Sequence, residues 1–527
     1  MRSIFIVAAV VVVAALAALT FVYPWVVWSF VVVGPVLIRG AWDMNQKRQA
    51  VRRNFPLIGN FRYLFEAIRP EINQYFVESN TDGVPYNRDI RSLVYQRAKG
   101  DTDTVPFGTR LDVYAIGYEW VNHSLAPVHV EPKSLRIEVG GPECTQKYSA
   151  SIFNISAMSY GSLSKNAVLA LNGGAKLGGF AHDTGEGGLS PYHLQPGGDL
   201  IWEIGTGYFS ARTLDGRFDP GRFKENASLP QVKMTLLKLS QGAKPGHGGI
   251  LPAAKVTPEI AKIRGVPMGQ DVLSPPAHAE FSTPIGLLEF VQKMRTLSGG
   301  KPAGFKLCLG KRREFLAICK AMHETKILPD FITIDGGEGG TGAAPLEFSN
   351  SVGAPLREAL IFVHNALVGF GLRKQIKLFC SGKIVSGADL VIKLATGADA
   401  CNSARAMMMA LGCIQALRCN TNHCPTGVAT QNPALVVGLD VGDKTKRVAS
   451  YHQQTVKSVA ELIGAMGIHH PNELRPWHAM KRTGLTEVKN YSELFQYIEE
   501  GSLLGSIVPE PFARPLRRAR ADSFASA

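Results

Sequence analysis

The hydrophobic pattern of this chain changes twice along its length. From Ile4 to Ile38 no charged residue occurs, an apolar run longer than one bilayer crossing requires. From about residue 150, short apolar runs alternate with stretches of helical periodicity. We therefore expect four regions: transmembrane segment(s) at 1–38, an N-terminal region at 39–148 packed on the third region, an α/β region at 149–432, and a C-terminal helical extension with a basic tail at 433–527.

The alternating region predicts a (β/α)₈ barrel, because eight apolar runs separated by helical stretches match the size and rhythm of that fold. The long glycine- and aromatic-rich stretch from Gly185 to Gln231 exceeds a simple connection, so we expect it to cap the barrel mouth. The predicted strands are 151–157, 179–183, 232–239, 270–274, 303–309, 330–336, 376–382 and 398–403.

The apolar N-terminus is interrupted by Pro24 and Pro35. As one straight helix it would be about 50 Å long, against a hydrocarbon core of roughly 30 Å. Two short spans with a turn near Pro24 are the preferred interpretation. The alternatives are one span over Ile4–Val22 followed by an interfacial stretch, and a cleaved signal peptide. Basic residues after Ile38 place the main body in the cytoplasm, where thiols stay reduced.

The net charge of +14 changes this picture little. A hydrophobic content of 45% and a charged content of 19% are typical of a folded protein with a full core. Part of the basic excess lies at the two ends of the chain, where it suits anionic lipid headgroups. The sequence has no basic run interleaved with aromatic residues, and we expect no nucleic-acid partner.

Function in such a barrel lies at the carboxyl ends of the strands. There the sequence carries "SGK" (381–383), "NSAR" (402–405) and "GGTGA" (339–343), which are typical of backbone sites for phosphate. No G-x-G-x-x-G fingerprint opens a helix after a strand, so a mononucleotide such as FMN fits better than NAD.

Two lysines are candidates for the same mouth. Lys306 points inward from the fifth strand if Phe305 and Leu307 point outward, and it can stabilise an anionic reduced flavin ring. Lys244 lies in the glycine-rich "QGAKPGHGG" and either holds a carboxylate substrate or is a solvated loop lysine.

Cys413, Cys419 and Cys424 follow the eighth predicted strand. They are core thiols, a Cys₃His zinc site with His423, or iron–sulfur ligands. Structural zinc usually shows two cysteines separated by two to four residues, which this spacing does not match. Spacing alone leaves the choice open.

Several motifs occur together in one order: "ISAMSYGSLS", "TGEGG", "QGAKPGHGGILP", "GGTGAAP" and "CIQALRCNTNHCPTGVATQ". From about Ile155 to Asn432 the chain thereby resembles the FMN-binding domain of glutamate synthase large subunits. "PLEFSNSVGAPLREAL" and "NSARAMMMALGC" look like its shorter branch, in which N-terminal membrane segments are common.

The resemblance implies an FMN-binding barrel and a [3Fe-4S] cluster held by Cys413, Cys419 and Cys424. It places Glu186 near flavin and cluster, and Lys244 in the 2-oxoglutarate pocket. The implied catalytic residues are Glu186, Gln241, Lys244 and Lys306. The implied flavin contacts are Ser156, Ala157, Ser159, Gln241, Lys306, Gly340, Thr341, Gly382, Lys383, Ser403 and Arg405.

The implied reaction is reductive amination of 2-oxoglutarate to glutamate, by an oxidoreductase acting on CH–NH₂ donors. The long enzymes begin with a catalytic cysteine that hydrolyses glutamine, whereas this chain begins Met1-Arg2 and its first cysteine is Cys144. We therefore expect no glutaminase domain, and ammonia that is free or supplied by a partner. Ferredoxin or an NAD(P)H-oxidising protein is the expected electron donor. His247 and "GTGYFSAR" (205–212) depart from the long enzymes and keep two alternatives open: another oxo or imino acid, or a membrane-attached electron-transfer or scaffold module.

Overall fold

The computed structural model describes residues 1–102 and 104–525. These residues form two compact units, one from Met1 to Arg88 and one that begins at Asp89.

The first unit is helical. An α-helix over Arg2–Val22 is followed by a 3₁₀ turn over Pro24–Ser29 and a second α-helix over Phe30–Asn45. The two long helices run antiparallel, since a Cβ on Gly40 would lie 2.1 Å from the ring of Phe5. By length and composition, Arg2–Val22 and Pro24–Asn45 are each sufficient to cross a membrane. Shorter helices complete the unit: Ala50–Asn54, Gly59–Ile72 and a π-helical turn over Asn73–Val77.

The second unit contains a closed barrel of eight parallel strands, which confirms the predicted fold class. Going round the barrel, each strand pairs with its neighbours in sequence and the eighth pairs with the first. The strands are β1 Phe153–Ile155, β2 His182–Asp183, β3 Leu200–Ile204, β4 Val232–Lys238, β5 Ala303–Leu307, β6 Phe331–Asp335, β7 Lys377–Ser381 and β8 Ala400–Ser403.

The prediction of one barrel strand at 270–274 is wrong, and β3 was missed. Val272–Leu273 pairs antiparallel with Ile250–Leu251 outside the barrel, and Leu273 is 67% exposed. A barrel strand is covered by helices outside and by packed side chains inside, which an exposed leucine cannot satisfy. All five residues of β3 are buried, and β3 lies within the stretch that we expected to be only a cap.

Four helices of the barrel begin at a serine or threonine cap. Ser164, Thr257, Thr283 and Ser386 each accept a hydrogen bond from a backbone N–H three residues later. The helices that follow the strands are Lys165–Gly178, Pro191–Leu194, Pro220–Ala227, Pro258–Arg264, Pro284–Leu297, Arg312–Thr325, Leu346–Ser351, Leu356–Gly369, Gly387–Ala395 and Arg405–Ala410.

An apolar plug closes the amino-terminal end of the barrel. The antiparallel hairpin of Arg136–Val139 and Tyr148–Ser151 contributes its buried face to a cluster with side chains of the barrel wall. Because this end is filled by hydrophobic residues, the polar interior lies towards the carboxyl ends of the strands. The wall residues of the cluster are Ala181, Ile201, Met234, Leu236, Phe331, Phe379 and Ala400.

The flanking regions of the second unit pack together. Glu119–Val121, Ala479–Arg482 and Val488–Asn490 form one antiparallel sheet, so segments before and after the barrel share a layer. The long helix Val441–Ala465 packs on Lys165–Gly178, where Gly174 faces Val448. The remaining helical segments are Arg88–Lys99, Pro132–Ser134, Ala253–Lys255, Pro433–Val436, Pro471–Glu473, Pro476–His478, Tyr491–Leu494 and Glu510–Arg517.

Candidate active site

A layer of buried charges lies inside the barrel above the apolar plug. Lys306 of β5 points inward and is hydrogen-bonded to Glu203 of β3, with both side chains almost fully buried. Burial raises the pKa of Asp183, on β2, to about 8, and the negative charge of Glu203 adds to this, while Lys306 acts against it. The carboxylates of Glu203 and Asp183 overcome burial and raise the pKa of Lys306. Lys306 is therefore a fixed cation, and its ion-pair partner is Glu203.

A second ion pair lies at the mouth, above the first. Lys238, the last residue of β4, places Nζ 2.9 Å from Glu186 Oε2 and 2.9 Å from Gln241 Oε1. Burial disfavours the Glu186 carboxylate, but Lys238 and then Lys244 and Arg264 hold its pKa below the usual range. Glu186 and Gln241, predicted from different motifs, are thus brought together by a lysine that sequence reasoning missed.

The Glu186 side chain packs closely against the backbone of two glycines. A Cβ on Gly249 would lie 2.6 Å from Glu186 Oε1, and one on Gly205 would lie 2.7 Å from Glu186 Cβ. Arg264, which was not predicted, donates to the carbonyl of Tyr160 at 3.0 Å.

Lys244 is 3% exposed, so it is not a solvated loop lysine. Its Nζ donates to the carbonyl of Ala343 at 2.9 Å, which joins the loop after β4 to the "GGTGA" loop after β6. Burial lowers the pKa of Lys244 to about 8, and the charge of Glu186 opposes this shift. A basic group in this setting can bind an anion without the competition of bulk water.

Tyr208 and His278 form a buried hydrogen-bond chain that reaches Lys238 at the end of β4. His278 Nε2 donates to the carbonyl of Lys238 at 2.8 Å, and the Tyr208 hydroxyl donates to Nδ1 at 3.0 Å. Burial lowers the pKa of His278 to about 4, so the ring is neutral. The segment 205–212, which departs from the long enzymes, therefore supports the end of β4 through Tyr208. His247, the other departure, packs its ring edge-on against Phe348.

The predicted phosphate residues come together at the ends of β6, β7 and β8. Arg405 donates from Nη2 to the carbonyl of Glu338 at 2.6 Å, and a Cβ on Gly340 would lie 2.6 Å from Arg405 Cδ. Ser403 donates to the carbonyl of Ile384 at 2.6 Å. Gly382 and Lys383 adopt positive φ angles of 150° and 51°, and Thr341 lies in the same loop as Gly340.

The residues after β1 complete the circle of loops around the barrel mouth. The backbone N–H of Ser156 donates to the carbonyl of Ser403 at 3.0 Å. A Cβ on Gly185 would lie 2.7 Å from the nitrogen of Ser159, so the loop that carries Glu186 passes directly over this segment. Ala157 lies between the two serines and is half-buried.

The three cysteines after β8 lie beside the "GGTGA" loop. A Cβ on Gly342 would lie 4.0 Å from Cys419 Cβ. Burial raises the pKa of Cys413 to about 11, to which the charges of Cys419 and Cys424 contribute. Within residues 1–102 and 104–525, no three His, Cys, Asp or Glu side chains are close enough to hold a single metal ion. None of the eight cysteines forms a disulfide bond.

Cys424 differs from the other two. Burial disfavours its thiolate, but the hydroxyl of Thr426 and the backbone N–H groups of Ala429, Thr426 and Val428 outweigh this effect and lower its pKa. Lys255, which sequence reasoning missed, lies near this segment and donates to the carbonyl of Ala429 at 2.9 Å.

The chain matches the model of the conserved region in glutamate synthase over residues 127–469. It is 37% identical to the glutamate synthase large subunit-like protein YerD of Bacillus subtilis, over 84% of this chain and 91% of that protein. It is 36% identical to the archaeal glutamate synthase [NADPH] of Methanocaldococcus jannaschii, over 61% of this chain and 60% of that protein. The chain thus spans about 60% of the archaeal relative's length.

Among solved structures, a mutant flavocytochrome b2 with pyruvate bound is 14% identical, with a TM-score of 0.42, covering 86% of this chain and 92% of that one. A likeness at this level carries no information about function.

Proposed function

The chain is an oxidoreductase that belongs to the glutamate synthase family, and we propose that it binds FMN and reductively aminates 2-oxoglutarate to glutamate. The observation that carries the proposal is the convergence of Lys244, the Glu186–Lys238–Gln241 chain and the phosphate-type loops on one barrel mouth.

The mouth fits a flavin mononucleotide. The loops after β6, β7 and β8 offer Gly340, Gly382 and the cation of Arg405 to a phosphate, and the segment after β1 offers Ser156 and Ser159 to a ring. Bound FMN would supply hydride transfer to carbon. Lys306, Glu203 and Asp183 lie deeper in the barrel, where they fix the charge beneath the mouth.

Lys244 binds the substrate in this proposal. A buried ammonium makes a charge-assisted hydrogen bond to a carboxylate, which is about twice as strong as a neutral one. Lys238 already binds Glu186 and Gln241, so it positions those two side chains. The neutral His278 behind it holds the end of β4 in place.

The cysteines fit an iron–sulfur cluster better than a single ion. A cluster takes one thiolate at each of several irons, so its ligands lie farther apart than those of one ion. The N–H groups around Cys424 are the donors that commonly surround cluster sulfurs. We propose a [3Fe-4S] cluster on Cys413, Cys419 and Cys424, supplied with electrons by a donor protein such as ferredoxin or an NAD(P)H-oxidising partner.

The test is rapid mixing of the chemically reduced full chain with 2-oxoglutarate, ammonia, both together, and a panel of other oxo acids. We expect flavin reoxidation only when 2-oxoglutarate and ammonia are both present. Lys244→Met should raise the half-saturating oxo acid concentration on the order of 10- to 100-fold, because a charged hydrogen bond contributes about 1.5–3 kcal/mol. Its flavin content should not change. The exposed Lys262, changed to Met, is the matched control.

Fast reoxidation by a different oxo or imino acid would move the assignment to that substrate, an outcome that the altered segment around Tyr208 makes worth testing. No reoxidation by any acceptor, in protein with full cofactor content, would favour an electron-transfer or scaffold module instead.

We further propose that the first unit anchors the protein in a membrane, with the barrel on the cytoplasmic side. Two exposed apolar helices of sufficient length and the basic residues that follow Ile38 support this placement.

A further inference from the structure

Lys255 is a buried cation without a carboxylate partner. It ends the 3₁₀ turn Ala253–Lys255 and is 2% exposed. Its Nζ donates to two carbonyls, of Ser162 at 3.0 Å and of Ala429 at 2.9 Å. No carboxylate of the described residues forms an ion pair with it, whereas the buried Lys238 and Lys306 are paired with Glu186 and Glu203. Carbonyl dipoles solvate an ammonium but do not neutralise it, so the positive charge of Lys255 is not compensated by its direct partners.

The cysteine segment lies beside Lys255. The ammonium donates to the carbonyl of Ala429, five residues after Cys424. The cysteine segment is also tied to the turn of Lys255, because Asn422 donates to the carbonyl of Ala254 at 3.0 Å. Hydrogen bonds at Asn422 and Ala429, one before and one after Cys424, thus hold this segment against the turn of Lys255.

We propose that Lys255 is a positioning residue that sets the reduction potential of a metal cluster on these cysteines, by holding one uncompensated positive charge beside them. This inference rests on the proposed iron–sulfur cluster. Reduction adds one electron from a donor protein, forms and breaks no bond, and increases the negative charge at the cysteines by one. Lys255 favours the more negative state, and its burial means that salt does not screen the interaction.

The test compares two variants in the full chain. Lys255→Gln keeps N–H donors for the carbonyls of Ser162 and Ala429 but removes the charge. Lys301→Gln is the matched control: Lys301 is 7% exposed and donates to the carbonyls of Ala227 and Leu229, but it lies just before β5, at the opposite end of the barrel. The measurement is a redox titration followed by the cluster's electron paramagnetic resonance signal, with iron and sulfide determined for each protein.

We expect Lys255→Gln to lower the equilibrium constant for reduction on the order of tenfold, a shift of about 59 mV to more negative potential for one electron. Lys301→Gln should keep the wild-type potential, and Lys255→Arg should stay close to it because the charge is retained.

The failures are distinguishable. Wild-type protein without iron, sulfide or a cluster signal would overturn the proposed cluster itself. A wild-type cluster whose potential is unchanged in Lys255→Gln would overturn only the role of Lys255. Loss of the cluster in both Lys255→Gln and Lys255→Arg would show that the side chain is needed for assembly, which also rejects a purely electrostatic role.

Discussion

At the scale of single residues, burial in the barrel keeps protonated a carboxyl group that water would leave ionised. Asp183 is 1% exposed, and burial together with the charge of Glu203 raises its pKa from the ordinary 3.8 to about 8. Between those two pH values the folded protein holds a proton that the unfolded chain has lost. The contribution of this group to the free energy of unfolding is therefore fully present below about pH 4, and it is lost as the pH rises through the folded pKa.

Asp183→Asn should remove this pH dependence. The amide oxygen can still accept the hydrogen bond that Gly185 donates to Asp183 Oδ1 at 3.0 Å, but it cannot ionise. We expect the stability of the variant relative to the wild type to rise between pH 5 and pH 8, by at most about 1.4 kcal/mol per pH unit. The measurement is the melting temperature in a pH series.

The exposed Asp271, which accepts a hydrogen bond from the Ala253 N–H at 2.7 Å, provides the control variant Asp271→Asn. Parallel melting curves for Asp183→Asn and wild type across the pH range would contradict the assigned environment of Asp183.

How much of the site could be predicted differs from residue to residue. Lys306 points inward because side chains alternate along a strand. The same rule applied to Met234, Leu236 and Lys238 would have found the lysine that binds Glu186. Tyr208 and His278 are 70 positions apart and meet only after folding, so no local pattern indicates them.

At the scale of elements, the site depends on close approach between loops at the barrel mouth. A Cβ on Gly242, in the loop after β4, would lie 1.8 Å from the carbonyl oxygen of Gly336, in the loop after β6. Gly242 also donates its N–H to Asp335 Oδ2 at 2.8 Å. Backbone atoms on both sides leave no flexible side chain to move, so this contact fixes the spacing between the two loops.

Gly242→Ala should therefore force the loops apart. We expect a loss of about 1–3 kcal/mol of stability from overpacking, together with weaker flavin retention. Gly310→Ala, in the loop after β5, is the control, because a Cβ there meets no atom within 4 Å. Thermal melts and flavin content measure both effects, and equal behaviour of the two variants would show that the mouth tolerates wider loop spacing.

The missed strand has a physical explanation at this scale. β3 contains the charged Glu203 and lies between glycine-rich segments, so we expected it to belong to the capping stretch from Gly185 to Gln231. Its identity as a strand comes from pairing with β2 and β4, which no local pattern expresses. The other seven strands were predicted because each is an apolar run before a recognisable turn.

At the scale of the whole molecule, the proposed membrane anchor makes a prediction about topology. Phe21, Trp25 and Trp28 are 92%, 72% and 73% exposed, which suits side chains that face lipid and its interface. The contact between Phe5 and Gly40 brings the beginning of the first helix beside the end of the second. A hairpin of this kind places Met1 and the basic residues after Ile38 on one side of the membrane, and the turn at Pro24–Ser29 on the other.

Single cysteines introduced into the full chain test this arrangement. In intact cells, a membrane-impermeant thiol reagent should label Ser29→Cys, in the turn, but not Ser3→Cys, because the positive-inside rule keeps the basic side in the cytoplasm. The native cysteines all lie from Cys144 onwards, so they should also stay unlabelled until the membrane is permeabilised. Labelling of Ser3→Cys from outside would instead indicate a single span with an external N-terminus. A mature protein that lacks residue 3 would show that the first helix is removed as a signal peptide, and labelling of the native cysteines in intact cells would place the barrel outside.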